Sequence, residues 1–239
     1  MSLAVFDFVN EILFPEYCIT CNKSGCYICA KCLKTKYKIN FLSICHICGN
    51  TTFKGSVHKE CRDYSNVDNL FFFCEYNNSA KSLIESIKYQ GNFAIVDTLV
   101  LHMANYLRVI YPNYKEFVFT YVPSHWVKQN VRGFNQSKLI TEKLGKILGV
   151  EVVGYLKKTN ASSKQAGSSK EQRNRNLKGK FALEKTIISK NVMIIDDVHT
   201  TGATLNECAA ILKDNGAEVV YGYTFSKSMN YSPNALDRV

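Results

Sequence analysis

From residue 67 onward the apolar positions keep changing period, and each change marks an element. Asn69-Leu-Phe-Phe-Phe-Cys-Glu-Tyr76 is a short, almost unbroken apolar run and reads as a strand. Ala80 to Tyr89 and Ala94 to Tyr111 read as helices, and Phe117 to Val122 as a strand. A helix from Asn135 to Leu148 places Ile140, Leu144, Ile147 and Leu148 on one face. A short strand follows near Val150 to Gly154, then a polar segment over 157–180, then a strand at Asn191 to Ile195. A helix from Gly202 to Asn215, with Leu205, Cys208, Ala209 and Leu212 inward, and a strand at Glu218 to Phe225 complete the series. Strands alternating with helices imply parallel βαβ units, hence an α/β fold with a doubly wound parallel sheet. Ligands of such sheets gather at the carboxyl ends of the strands, so the segments after Val122 and Ile195 are the first places to look for chemistry.

The first 66 residues obey no such rhythm. Leu3, Phe6, Val9 and Leu13 recur at helical spacing and predict a short amphipathic helix, after which residues 14–66 are rich in Cys, Lys and Asn. The sequence therefore divides into a small module, 1–66, and an α/β domain, 67–239. Of the ten cysteines in 239 residues, nine precede residue 75. A disulfide scaffold needs an oxidising compartment, but the first residues lack a basic start and carry Asp7 and Glu11 where an export signal would be apolar. The stretch Leu99 to Tyr111 is broken by His102, Asn105 and Arg108, and is shorter than the roughly 20 residues that span a bilayer. The expectation is a cytoplasmic protein whose thiolates hold metal.

Four ligand-x-x-ligand pairs carry that expectation: Cys18/Cys21, Cys29/Cys32, Cys45/Cys48 and His58/Cys61. Two ligands three apart can face one ion from a tight turn, and two such pairs complete the tetrahedral shell that zinc prefers. Closed thiolate-rich shells leave no position for water, so this chemistry is structural. Sequential pairing (18/21 with 29/32) and interleaved pairing (18/21 with 45/48) are both compatible with the spacing. An iron–sulfur cluster is disfavoured by His58 and by the paired pattern. Cys26 could exchange with Cys29, while Cys74 and Cys208 lie in apolar periodic segments and read as small buried hydrophobes.

The most specific motif is Val192-Met-Ile-Ile-Asp-Asp-Val-His-Thr-Thr-Gly-Ala-Thr204. Thr200, Thr201, Gly202, Ala203 and Thr204 can offer backbone N–H groups and hydroxyls to a phosphate at the positive end of the following helix. Asp196 and Asp197 follow an apolar strand, where carboxylates are costly unless they bind hydroxyls or a cation. A phosphate loop beside two acids suits a phosphorylated sugar with hydrated Mg²⁺. No Ser/His/Asp or Cys/His catalytic arrangement is apparent, and His199 receives no role.

This run resembles the phosphoribosyl pyrophosphate (PRPP) signature of type I phosphoribosyltransferases. With the cysteine pairs, Ile87-Lys-Tyr-Gln-Gly91, Val122-Pro-Ser-His125, Arg132-Gly-Phe-Asn-Gln136, Thr159 with Gln165, and Arg173 to Phe181, the resemblance narrows to the ComF family of competence proteins over nearly the whole chain. It implies a type I phosphoribosyltransferase sheet behind a zinc finger, and a PRPP pocket used in handling incoming single-stranded DNA during natural transformation. It implies Asp196 and Asp197 as the catalytic acids and Pro123, Ser124, Arg132 and Gly133 as pyrophosphate contacts. It also implies partners among DNA-uptake and recombination proteins, and peripheral association with the inner face of the membrane. An active transferase on an unidentified base or amine, or a PRPP sensor without turnover, are the other readings. There are departures: His58 stands for a usual Cys, Tyr121 for a common Pro, and Thr200 for the Asp that serves as base in 6-oxopurine transferases. That last change counts against hypoxanthine or guanine as acceptor.

Charge adds a location. The net charge is +10, and residues 157–185 hold nine basic side chains against two acidic ones. The resemblance puts a flap, 155–181, over the pocket here, so Lys164, Lys170, Arg173, Arg175, Lys178 and Lys180 either sit on a solvated surface loop, close on pyrophosphate or follow a nucleic-acid strand. Phe134, Tyr155 and Trp126 flank the segment and could stack on bases or belong to the core.

Overall fold

A computed structural model of the protein describes residues 16–90, 93–124, 133–159 and 179–229. The amphipathic segment Leu3–Leu13 lies outside them. After a short helix α1 (Ala30–Thr35) come β1 (Asn69–Glu75), α2 (Asn78–Gln90), α3 (Phe93–Ile110), β2 (Val118–Tyr121) and α4 (Gln136–Leu148). The order continues with β3 (Leu156–Lys158), β4 (Phe181–Leu183), β5 (Asn191–His199), α5 (Ala203–Asp214) and β6 (Val219–Lys227). Among the described residues, β1, β6, β5 and β2 form one parallel sheet in that order.

Helices cover both faces, as the alternation of strands and helices requires. Met193 and Ile195 of β5 pack with Leu99, Met103 and Ile140 from α3 and α4. Val192 and Ile194 pack with Leu205, Cys208 and Leu212 of α5. The α3 helix is long and apolar enough to cross a membrane by length and composition, yet Val96, Leu99, Val100 and Met103 are fully buried in the fold. The first cysteine module enters the same core, since Cys18, Cys29, Cys32 and Tyr37 are buried in the cluster that contains α3.

Three details differ from the sequence expectation. β5 continues four residues past Ile195 because β6 pairs with it as far as His199 opposite Lys227, so Asp196 and Asp197 lie within the strand. Val152 makes a single parallel bridge to Phe119 in place of a strand over 150–154. The polar segment 157–180 is pinned at its ends by an antiparallel pair, β3 with β4, and Thr159 N–H donates to Lys180 O at 2.8 Å.

The sheet's two outer strands are covered. Along β1, Asn40 N–H donates to Phe73 O and Glu75 N–H to Lys38 O, with further bridges at Ile39–Cys74 and Ser56–Asn69. Along β2, Phe119 N–H donates to Glu151 O and Val153 N–H to Phe119 O, each at 2.9 Å.

Candidate metal centres and phosphate site

The pairing is sequential. The sulfurs of Cys18, Cys21, Cys29 and Cys32 lie within 4.8 Å of one another, and so do the ligand atoms of Cys45, Cys48, His58 and Cys61. Cys21 Sγ and Cys29 Sγ are 3.7 Å apart, close to the edge of about 3.8 Å expected for a tetrahedron with zinc–sulfur bonds of about 2.3 Å. Cys29 caps α1: its thiol accepts from Cys32 N–H, and its own N–H donates to Cys18 Sγ. In the second set His58 Nε2 lies 3.0 Å from Thr51 O, which places a proton there and leaves Nδ1 free for a metal, 3.3 Å from Cys48 Sγ.

Electrostatics point the same way. Burial pushes the Cys18 thiol up, but N–H donors of Cys29, Cys21 and Thr20 outweigh it and bring it to about 6. Burial and the neighbouring thiols push Cys32 and Cys61 up to about 12. Thiols crowded this closely can all ionise only with a cation between them. Cys26 belongs to neither set, and Cys74 and Cys208 are fully buried core residues, as expected.

The candidate phosphate loop follows β5. Gly202, with φ of 79°, is the N-cap of α5 and has no side chain with which to cap it, while Thr201 Oγ1 accepts from Ala203 N–H at 3.5 Å. A Cβ at Gly202 would lie 2.8 Å from His199 Nε2, so the loop rests on the imidazole. Thr200 and Thr201 are exposed.

The two acids diverge. Asp196, 9% exposed, accepts from Ser137 Oγ at 2.7 Å and from Asp197 N–H at 2.9 Å. Burial, then the Asp197 charge, pushes its carboxyl up to about 7 against those hydrogen bonds and Lys88. Asp197 forms an ion pair with Lys88 of α2 and borders a small apolar cavity under α3 and α4. Ser137 is placed by Asn135, which caps α4 through Ser137 N–H and Lys138 N–H and donates to Val122 O at 3.1 Å.

A cavity of about 400 Å³ separates the second metal set from this loop, lined by His46, Tyr64, His199, Gly202, Asn206 and Glu207 among others. His46 and His199 meet edge to face at 5.9 Å. Burial, then nearby Lys227, lowers His46 to about 4 and His199 to about 3, so both rings are neutral at pH 7.

No family model matches the sequence. The DNA utilization protein YhgH of Escherichia coli K12 is 30% identical over 168 residues, covering 67% of this chain and 72% of that protein. The chain belongs to the ComF family. Competence protein F of Haemophilus influenzae is 28% identical over 232 residues (87% of this chain, 95% of that one), and competence protein ComFC of Bacillus subtilis 27% over 214 (85% and 84%). Among solved structures, a crystal structure of adenine phosphoribosyltransferase aligns with a TM-score of 0.39 and 16% identity, over 65% of this chain and 80% of that one. A Helicobacter pylori xanthine-guanine-hypoxanthine phosphoribosyltransferase aligns with a TM-score of 0.40 and 11% identity, over 60% and 81%.

In this ComF-family chain the structure brings Asp196, Asp197 and the Thr200–Thr204 loop to one end of β5. Pro123 is buried; Ser124 Oγ is buried without a partner among the described residues, and Gly133 has a φ of 77°. Arg132 and Trp126, with Lys164, Lys170, Arg173, Arg175 and Lys178, lie outside the described residues. Lys180 stands at the base of the β3–β4 pair, its N–H donating to Glu207 Oε1 at 2.9 Å. Tyr155 is fully buried and is a core residue, which corrects its candidacy for base stacking; Phe134 packs edge-on against Phe93 at 5.1 Å. Sequence reasoning missed Ser137, His46 and the role of Lys88, although Lys88 lies in the Ile87–Gly91 motif and His46 between two ligands.

Proposed function

We propose that this protein handles incoming single-stranded DNA during natural transformation, in the cytoplasm, and binds PRPP with Mg²⁺ at the end of β5. The single observation that carries the PRPP reading is the glycine-capped N-terminus of α5 beside two carboxylates on one strand. In this reading Thr200–Thr204 hold the 5′-phosphate, and Asp196 and Asp197 take the ribose hydroxyls. Ser124, Arg132 and Gly133 face the pyrophosphate. Mg²⁺, when bound, supplies charge neutralisation to the pyrophosphate. Ser137 and Lys88 orient the two acids and hold their charge in check.

Two zinc ions stabilise residues 1–66, and 67–239 forms the phosphoribosyltransferase-like domain. The segment 155–181 supplies the basic contacts to the strand, Lys164, Lys170, Arg173, Arg175, Lys178 and Lys180 among them, and the family context supports DNA-uptake and recombination proteins as partners at the inner face of the membrane. Phosphoribosyl transfer to a base or amine is the second reading, supported by the pair of acids beside the loop. Pyrophosphate release on adding an acceptor distinguishes it.

The test is thermal stabilisation by PRPP and Mg²⁺, and single-strand binding with and without them, for wild type and an Asp196→Asn, Asp197→Asn double variant. Stabilisation of the wild type alone supports the pocket. Equal stabilisation of both, or of neither, removes it.

A further inference from the structure

One line of contacts joins the second metal set to the phosphate loop. His46 lies between the ligands Cys45 and Cys48, and its Nε2 is 2.9 Å from Ser65 Oγ, which donates to Val67 O at 3.0 Å. Its ring meets that of His199, which is 5% exposed and lies directly under Gly202. A second tie runs beside it: Asn66 N–H, shortly after the ligand Cys61, donates to Asn206 Oδ1 in the first turn of α5 at 2.5 Å. The ligand set holds the knuckle, the knuckle holds His46, and the two rings form the floor of the loop.

We propose that His46 and His199 are positioning residues that couple occupancy of the Cys45, Cys48, His58, Cys61 site to phosphate binding at Thr200–Thr204. The inference rests on the reading of that loop as the PRPP site. A metal in the second set fixes the turn that carries His46, and the turn keeps His199 against Gly202, which holds the Thr200–Thr204 loop in its conformation. Coupling between two sites is reciprocal, so PRPP must retain the metal by the same factor as the metal improves PRPP affinity, typically about 5- to 150-fold.

The experiment uses the full chain purified with its metal. Metal lost at equilibrium to a competing chromogenic chelator is measured with and without saturating PRPP and Mg²⁺, beside direct PRPP titration, for wild type, His46→Ala, His46→Phe and Cys61→Ser. The expected result is one site whose metal affinity rises roughly tenfold with PRPP in wild type, and no PRPP-sensitive site in Cys61→Ser, which keeps only the four-cysteine site. His46→Ala is expected to lose roughly tenfold in PRPP affinity, with His46→Phe, which keeps a ring against His199, recovering most of it. Packing alone would lower stability without making metal affinity depend on PRPP. If wild type binds PRPP but holds metal with unchanged affinity, the coupling is wrong and the PRPP reading stands. If metal-loaded wild type does not bind PRPP, both fall.

Discussion

Replacing Asp196 by Asn removes a charge that the fold holds at a cost. Burial and the adjacent Asp197 raise its carboxyl from 3.8 to about 7, so the folded chain keeps a proton that the unfolded chain has given up. A raised carboxyl contributes stability fully present below about pH 4 and lost as pH rises through about 7. The shift of about three units is worth about 4 kcal/mol in all, of which about 2 falls between about pH 5.5 and 8.5. Asn keeps the oxygen that accepts from Ser137 and from Asp197 N–H, and it does not ionise. Asp196→Asn should therefore gain stability over wild type steadily across that window, by about 2 kcal/mol more at the alkaline end. His46 and His199 pull the other way, because lowered imidazoles cost stability as pH falls through about 6.5; both proteins carry them, so the difference isolates Asp196. Denaturant unfolding of the zinc-loaded proteins at several pH values is the assay. A stability difference that does not change with pH would refute the reasoning.

Other perturbations address other parts of the molecule. Gly202→Ala must place a methyl 2.8 Å from His199 Nε2 at a φ of 79°, and should cost about 1–3 kcal/mol and weaken PRPP binding; a variant with wild-type melting and affinity would mean the loop does not rest on the ring. Metal analysis under reducing conditions should return two zinc ions per chain, and a count of one or none removes a site. Neutralising Arg173, Arg175 and Lys178 together should lower the salt slope of single-strand binding by about 2, at about 0.7 per phosphate contact, whereas an unchanged slope puts the strand elsewhere. Leu99→Ala in the middle of α3 should cost about 2–5 kcal/mol by urea unfolding, because the side chain is fully buried between α4 and the sheet; a cost under about 1 would contradict that burial.

The strands and helices were legible because each buries an apolar face at its own period. The end of β5 was not: two adjacent aspartates carry no strand propensity, and only pairing with β6 out to Lys227 keeps the backbone extended through them. The β3–β4 pair has three residues a side and includes two lysines, so no alternation announces it. Ligand spacing located the eight residues that gather into two candidate metal sites, but every pair has the same spacing and only the tertiary path makes 18/21 share with 29/32. The divergence of Asp196 toward Ser137 and Asp197 toward Lys88 was not legible either, because the two partners come from helices α4 and α2, far from the acids in sequence.

The backbone bridges along β1 give the cysteine-rich region a protective duty beside its two candidate metal sites. β1 is an outermost strand of sequence Asn-Leu-Phe-Phe-Phe-Cys-Glu, and its free side is occupied by Lys38–Asn40 and Ser56. Stripped of residues before 66, that side would offer a row of open amides and carbonyls flanked by three consecutive phenylalanines, a template on which other chains can add. A fragment starting at 67 should therefore self-associate, and loss of metal from the intact chain should carry the same hazard. The region acts as a guard rail for the sheet, and its removal is a route to aggregation.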